Sequence, residues 1–226
     1  MLVAIDCIIF GFDGKHLKIL LVQRAMQPER GNWSLMGGFV QPAENTEQAA
    51  VSILQKLTGI TNIYLEELAV FSNPDRDPVE RTISIAYFSL IDINQYEKQI
   101  TTEYHDEWFL LKKIPKLIFD HNEMVKKAKE KLRYKAAFHP LLFELLPEKF
   151  TLPQLQSLYE EIFDLEIDKR NFSRKILSMG FLIKLNEKEK ENSKKGAYYY
   201  KLDKKKYKAN FHSVLKIIPN PAILKD

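Results

Sequence analysis

The sequence predicts an α+β chain of two domains: a mixed sheet layered with helices as an α/β/α sandwich, then a small unit of two helices and a hairpin. Three observations predict it. Apolar residues alternate with period two in the first segment, a β-branched and aromatic run stands at 81–91, and a helical stretch at 47–58 lies between them. Pro140 and Pro147 bracket an apolar connector at 139–150. Beyond it, two capped helical patterns precede two strand patterns separated by a charged tip. A chain of 226 residues, 45% of them apolar, can fill the two modest cores this requires.

Taken in order, Val3, Ile5, Cys7 and Ile9 alternate on one face, and the pattern resumes after Asp13-Gly14 as Leu17, Ile19 and Leu21. Asp-Gly accepts the positive φ of a tight turn, so a hairpin is expected. Asp6 interrupts the run on the face shared by Ala4, Ile8 and Phe10, and a carboxylate there needs partners from the protein or from ligand hydroxyls. Residues 47–58 space Ala50, Val51, Ile53, Leu54 and Leu57 as a helix, with Gly59 as its left-handed cap. Strands are expected at 63–71 and 81–91 around a turn-rich 71–80. The stretch 121–138 lacks Gly and Pro and repeats Met124, Ala128, Leu132 and Ala136, which predicts one helix. The domains are accordingly assigned as 1–138 and 150–226, with 139–149 as linker.

Composition narrows the function classes. Cys7 has no second cysteine to pair with, so a reducing, cytoplasmic location is expected. The absence of a basic leader and of a ~20-residue apolar span argues against secretion and against a membrane partner. His16, His105, His121, His139 and His212 show no metal-ligand spacing, so solvated or structural roles are expected for them. Charge is uneven: residues 151–226 hold 16 Lys/Arg against 10 Asp/Glu, and residues 1–150 hold 18 against 20. The C-terminal third is thus where a polyanion would dock, although the same lysines also suit a plain solvated surface.

In that third, Thr151 and Gln154 form a capping box, and Pro153 sits harmlessly in the first helical turn. Asp168 caps a second helix that ends at Gly180. Its inner face is Phe172, Ile176 and Met179, and Arg170, Asn171, Arg174 and Ser178 lie opposite, with Leu177 off the stripe. Strands GFLIKL and AYYYKL flank the tip NEKEKENSKKG as a wing. The pattern predicts a winged helix-turn-helix for double-stranded DNA: Lys169, Arg170, Asn171, Ser173, Arg174 and Lys175 on the recognition helix, Lys194 and Lys195 on the wing, then Lys204, Lys205 and Lys206. A protein-contact module is the competing use of the same elements.

Residues 37–60, GGFVQPAENTEQAAVSILQKLTGI, carry a second signal. Gly38, Glu44, Leu54 and Gly59-Ile60 resemble the outline of the Nudix box, Gly-x5-Glu-x7-Arg-Glu-U-x-Glu-Glu-x-Gly-U with U aliphatic, whose glutamates hold Mg²⁺ on a nucleoside diphosphate linkage. Here Ser52-Ile53 and Lys56-Leu57 stand where the Arg-Glu and Glu-Glu pairs belong. Mg²⁺ requires hard oxygen ligands, so no metal, no other cofactor and no hydrolase activity are expected. Glu47, Glu66 or Glu67 could rebuild a site from elsewhere, but their ordinary role is solvated surface. The frame is better suited to a binding pocket, with Asp6, Arg24, Trp33, Phe39 and Glu44 as effector-binding candidates and Arg30 as a further cation.

The combination resembles the NrtR family of bacterial Nudix-related transcriptional regulators over nearly the whole chain. The resemblance rests on NWSLMGGFV, PDRDP, RTISIAYFSL, EWF, FDH (119–121), FTLPQLQ (150–156) and DKRNFSRK (168–175). It implies a homodimer on a palindromic operator, most often repressing, with a sugar or nucleotide-sugar effector in the Nudix domain. One branch senses ADP-ribose; an AraR-type branch in the Bacteroidetes senses L-arabinose. Loss of the metal ligands favours the arabinose branch, with ADP-ribose sensing and ADP-ribose hydrolysis through relocated ligands as the alternatives.

Overall fold

The computed structural model describes residues 1–96, 105–138, 143, 145–190 and 196–209. Strand β1 (Leu2–Phe12) is buried continuously from Ala4 to Phe12. The expected one-sided alternation is therefore absent, because β1 is an inner strand covered on both faces. Val3, expected in the buried set, is exposed at the strand's start. β2 (Leu17–Gln23) follows the Asp13-Gly14 turn, where Gly14 has φ 93°.

Two short strands were not foreseen, β3 (Trp33–Ser34) and β4 (Met36–Phe39). Neither has the length or β-branched content that marks a strand in sequence. β5 (Glu66–Phe71) and β6 (Thr82–Asp92) pair antiparallel with a register shift between Glu67 and Ala69. The strand expected from residue 63 begins only at Glu66. A helical turn α2 (Ile93–Tyr96) and strand β7 (Asp106–Leu110) complete a mixed sheet of order β3-β2-β1-β6-β5, with β4 on β1 and β7 on β2.

Helix α1 (Thr46–Thr58) begins with a capping box between Asn45 and Gln48 and ends at Gly59, φ 76°. Its Ala49, Ala50 and Leu54 pack with Ile5, Cys7, Ile9, Leu20 and Met36. Val51 instead faces solvent, and Ile53 and Leu57 lie at the edge of this core. Helix α3 (His121–Phe138) buries Met124, Ala128, Leu132 and Ala136 as its spacing predicts.

Two compact units result: Met1–Gly11 with Leu17–Glu130, and Phe12–His16 with the described residues from Lys131 onward. The second half of α3 thus groups with the C-terminal unit, where the Arg133 Nε donates to the Ile162 carbonyl at 3.0 Å. In that unit β8 (Phe150–Thr151) leads into α4 (Leu152–Phe163), which has the predicted capping box and an early proline. α5 (Lys169–Ser178), β9 (Leu182–Glu189), β10 (Ala197–Leu202) and α6 (Lys204–Ala209) follow, in a sheet of order β8-β10-β9. Phe150, Leu155, Leu158, Tyr159, Phe172, Ile176 and Phe181 are among its buried apolar residues. Among the described residues no helix is long and apolar enough to cross a membrane.

Candidate effector site and nucleic-acid interface

A cavity of about 730 Å³ opens in the first unit, lined from β1, β2, β4, α1 and the segments at 76–77 and 119–121. Its floor is a buried charge cluster that begins at Asp6. One oxygen of that carboxylate accepts from the Ser84 hydroxyl at 2.6 Å and lies 3.5 Å from an Arg76 nitrogen; the other lies 3.5 Å from His121 Nε2. Arg76 in turn grips Asp120 with two bonds, Nε to Oδ2 at 2.9 Å and Nη2 to Oδ1 at 2.8 Å. Burial of such charges is tolerable because each has a counter-charge or donor.

His121 is neutral for a geometric reason as well as by burial. Its Nδ1 accepts the Leu35 backbone N–H at 3.2 Å, so that nitrogen carries no proton, and the proton on Nε2 faces Asp6. Desolvation pushes its pKa below the usual histidine value, opposed by the nearby Asp6 and Asp120 and aided by Arg76 and Arg24. Beside this cluster, β4 must pass close to β1: a Cβ on Gly37 would stand 2.5 Å from the Asp6 Oδ1. Only glycine fits.

Four of the five effector candidates line this cavity: Asp6, Arg24, Phe39 and Glu44. Arg24 spends its Nε on the carbonyls of Met26 and Pro28, at 3.1 and 2.6 Å, and its guanidinium lies 5.3 Å from the Phe119 ring centre. Glu44 accepts from the Gln41 N–H at 2.8 Å and from the Ser52 hydroxyl at 3.4 Å. The fifth candidate, Trp33, is not in the lining; its indole packs edge-on against Phe109, 4.7 Å away. Arg30 is exposed outside the lining as well.

Arg76, Asp120 and His121 are residues that periodicity alone did not single out. His121 in particular is no solvated histidine. The motifs PDRDP and FDH contain all three, and a proline- and aspartate-rich turn carrying one arginine was the available signal. Glu47, Glu66 and Glu67 do not line the cavity, whereas Ser52, Ile53, Lys56 and Leu57 do. Among the described residues no group of three or more His, Cys, Asp or Glu side chains could hold a metal ion.

The second surface is the outer face of α5. Asp168 caps the helix by accepting from the Asn171 N–H at 2.8 Å, and the Asn171 side chain accepts from Arg174 Nη2 at 2.8 Å. Asp168, Lys169, Arg170, Asn171, Ser173 and Arg174 line one concavity. Lys169, Arg170, Asn171 and Arg174 are exposed, Ser173 and Lys175 half-buried. Phe172 and Ile176 anchor the opposite face, and Tyr159 meets Phe172 edge-on at 5.5 Å. On the hairpin, Lys184 and Lys188 sit over the Tyr198 ring at 3.6 and 4.5 Å, two cations the sequence did not single out. Lys194 and Lys195 lie outside the described residues.

Comparison with known proteins agrees with both halves. The NUDIX domain pattern matches residues 1–131, and that of the NrtR DNA-binding winged helix domain matches residues 142–202. The ADPR responsive transcriptional repressor NtrR of Acinetobacter baylyi is 34% identical over 218 residues, 95% of this chain and 87% of that protein. An ADP-ribose pyrophosphatase of Methanocaldococcus jannaschii is 38% identical over 125 residues, 55% of this chain and 70% of that one. Shewanella oneidensis NrtR complexed with a 27mer DNA superposes with TM-score 0.77 and 30% identity, covering 94% of this chain and 96% of that chain. The Nudix domain of the same protein complexed with ADP ribose gives 0.52 and 31%, covering 58% and 88%. With its Nudix domain, its C-terminal winged helix and a repressor relative along nearly its whole length, the chain belongs to the NrtR-type family of Nudix-domain transcriptional regulators.

Proposed function

We propose that this protein is a DNA-binding transcriptional repressor, acting as a homodimer on a palindromic operator and controlled by a nucleotide sugar of the ADP-ribose type held in the Nudix-domain cavity. The observation that carries the DNA half is the outer face of α5. Four exposed donor side chains within six residues, Lys169, Arg170, Asn171 and Arg174, offer what phosphates and guanine or adenine edges accept. The similarity to a repressor and to a DNA-bound regulator supports this use of the helix over protein contact.

For the effector, size and walls favour a nucleotide sugar. The cavity, about 730 Å³, falls within the ~300–1,000 Å³ typical of drug-sized ligands, well beyond what a pentose needs. Phe39 and Phe119 offer apolar faces for a base, and Asp6 and Ser34 offer polar groups for ribose hydroxyls. The likeness to an ADP-ribose-responsive repressor and to an ADP-ribose-bound Nudix domain points the same way. The ligand is bound without being hydrolysed, because Ile53, Lys56 and Leu57 cannot replace the box glutamates as Mg²⁺ ligands.

L-arabinose is the second reading, and one observation favours it. The cavity's two arginines are engaged by the protein itself, Arg76 by Asp120 and Arg24 by two backbone carbonyls, while Asp6 and Ser34 suit a small polyol.

Operator binding followed by fluorescence anisotropy, titrated in parallel with ADP-ribose and L-arabinose, tests both. Release by ADP-ribose alone supports the proposal; release by arabinose alone transfers the domain to the sugar-sensing branch. Turnover of ADP-ribose in Mg²⁺ would overturn the non-catalytic part.

A further inference from the structure

The Nudix box of a hydrolase places acids at the positions held here by Ile53, Lys56 and Leu57, and the residues present do not fit a divalent cation. A Cβ on Gly38 would lie 3.0 Å from both Cγ1 and Cδ1 of Ile53, so an aliphatic side chain already fills the space between α1 and β4. Leu57 lines the same wall. Glu44 remains, but it accepts from the Gln41 N–H and the Ser52 hydroxyl, and one carboxylate does not make a Mg²⁺ site.

A diphosphate carries two negative charges and still needs compensation where it is bound. The cavity's cationic groups can be considered one by one. Arg76 is held by Asp120 and Asp6 at the floor. Arg24 has its Nε on two carbonyls and its plane against Phe119. His121 is fixed in the neutral tautomer by the Leu35 N–H. Lys56 differs from all three. It is exposed at the cavity wall, and no ion pair engages it among the described residues.

We infer that Lys56 takes the place of the metal as the counter-charge for the pyrophosphate, so that the domain binds an ADP-ribose-type ligand independently of divalent cations. This rests on the nucleotide-sugar reading of the cavity. An acid-to-lysine exchange at one position removes a metal ligand and supplies the positive charge the metal would have brought. An ammonium on a four-carbon stem donates up to three hydrogen bonds to phosphate oxygens, yet it does not polarise a water as a divalent ion does. Affinity is kept while the means of cleaving the ligand is lost. A sensor has use for that separation, since its signal must outlast the encounter.

Isothermal titration of the full-length protein with ADP-ribose decides the matter, run in EDTA and again in MgCl2, for the wild type, Lys56→Gln and Lys56→Arg. Wild-type Kd should agree within about twofold between the two buffers. Lys56→Gln should weaken binding by about tenfold or more, as expected for losing one charge-assisted contact, and Lys56→Arg should recover most of it. Because Lys56 is exposed on α1, neither variant disturbs a buried contact. Wild-type binding that requires Mg²⁺, or a Lys56→Gln protein that binds as tightly as wild type, overturns the role of Lys56 and leaves the nucleotide-sugar reading standing. ADP-ribose that fails to bind the wild type in either buffer overturns that reading, and the inference with it.

Discussion

α1 and α5 are built alike and used differently. Each is started by a side chain that accepts the N3 backbone N–H, Asn45 from Gln48 and Asp168 from Asn171, and each buries one apolar stripe. On α5 the residues opposite that stripe, Lys169, Arg170, Asn171 and Arg174, carry the helical part of the candidate interface. On α1 the corresponding edge, Ser52 to Leu57, is only one wall of a cavity whose floor comes from Asp6, Arg76 and His121. A rod-shaped polymer is met by one exposed helix face, whereas a small ligand must be surrounded. The first can be written in one turn of sequence; the second needs segments more than a hundred residues apart.

The comparison breaks most visibly if the cavity floor is removed. Arg76→Ala leaves Asp120 and Asp6 buried without their shared cation, and removing one partner of a buried pair typically costs about 3–5 kcal/mol. The first unit should unfold well below the wild-type temperature, with ligand protection lost. A thermal melt within a degree of wild type would show that water, rather than Arg76, satisfies those carboxylates.

A smaller effect is expected on α5. Arg174→Ala removes an exposed donor held in place by Asn171, with no buried partner to strand, so stability should hold while operator affinity falls. One lost base-edge contact is worth about 1–3 kcal/mol, roughly 5- to 150-fold, and a lost phosphate contact lowers the salt slope by about one instead. Anisotropy titrations over a series of salt concentrations separate the two. Unchanged affinity at every salt would remove α5 from the interface.

This contrast also explains what was legible in the sequence. Phe172 and Ile176 buried against Arg170, Asn171 and Arg174 exposed follow from 100° per residue, and the structure places them so. Asp6 was conspicuous because a carboxylate inside an apolar strand has to be answered by something. What answers it was not legible: Arg76 lies in an irregular turn and His121 at a helix start, where no period marks which side faces inward. Trp33 was expected at the pocket, but the pairing of β2 with both β3 and β7 brings it against Phe109 instead. Val51 fits a helical period and is exposed nonetheless, since the sheet covers only the stripe through Ala49, Ala50 and Leu54. Tertiary pairing decided each of these.

The mildest test reaches the same floor through pH. Burial holds His121 below its usual pKa, so the unfolded chain, titrating near 6.5, binds a proton before the native state does. Above that value the ring is neutral in both states and contributes no slope; as pH falls through 6.5 the unfolded state gains the proton and the native state is destabilised. One proton changes stability by at most about 1.4 kcal/mol per pH unit. A melting temperature for the first unit that declines below pH 6.5, and declines less steeply in His121→Asn, is the expected outcome. The groups facing the ring set how far the decline extends, Asp6 and Asp120 drawing its native pKa back up and Arg76 and Arg24 pushing it further down. A single-proton slope unchanged in His121→Asn would place the titration elsewhere, and the neutral tautomer pinned by Leu35 would no longer account for the acid sensitivity of the cavity.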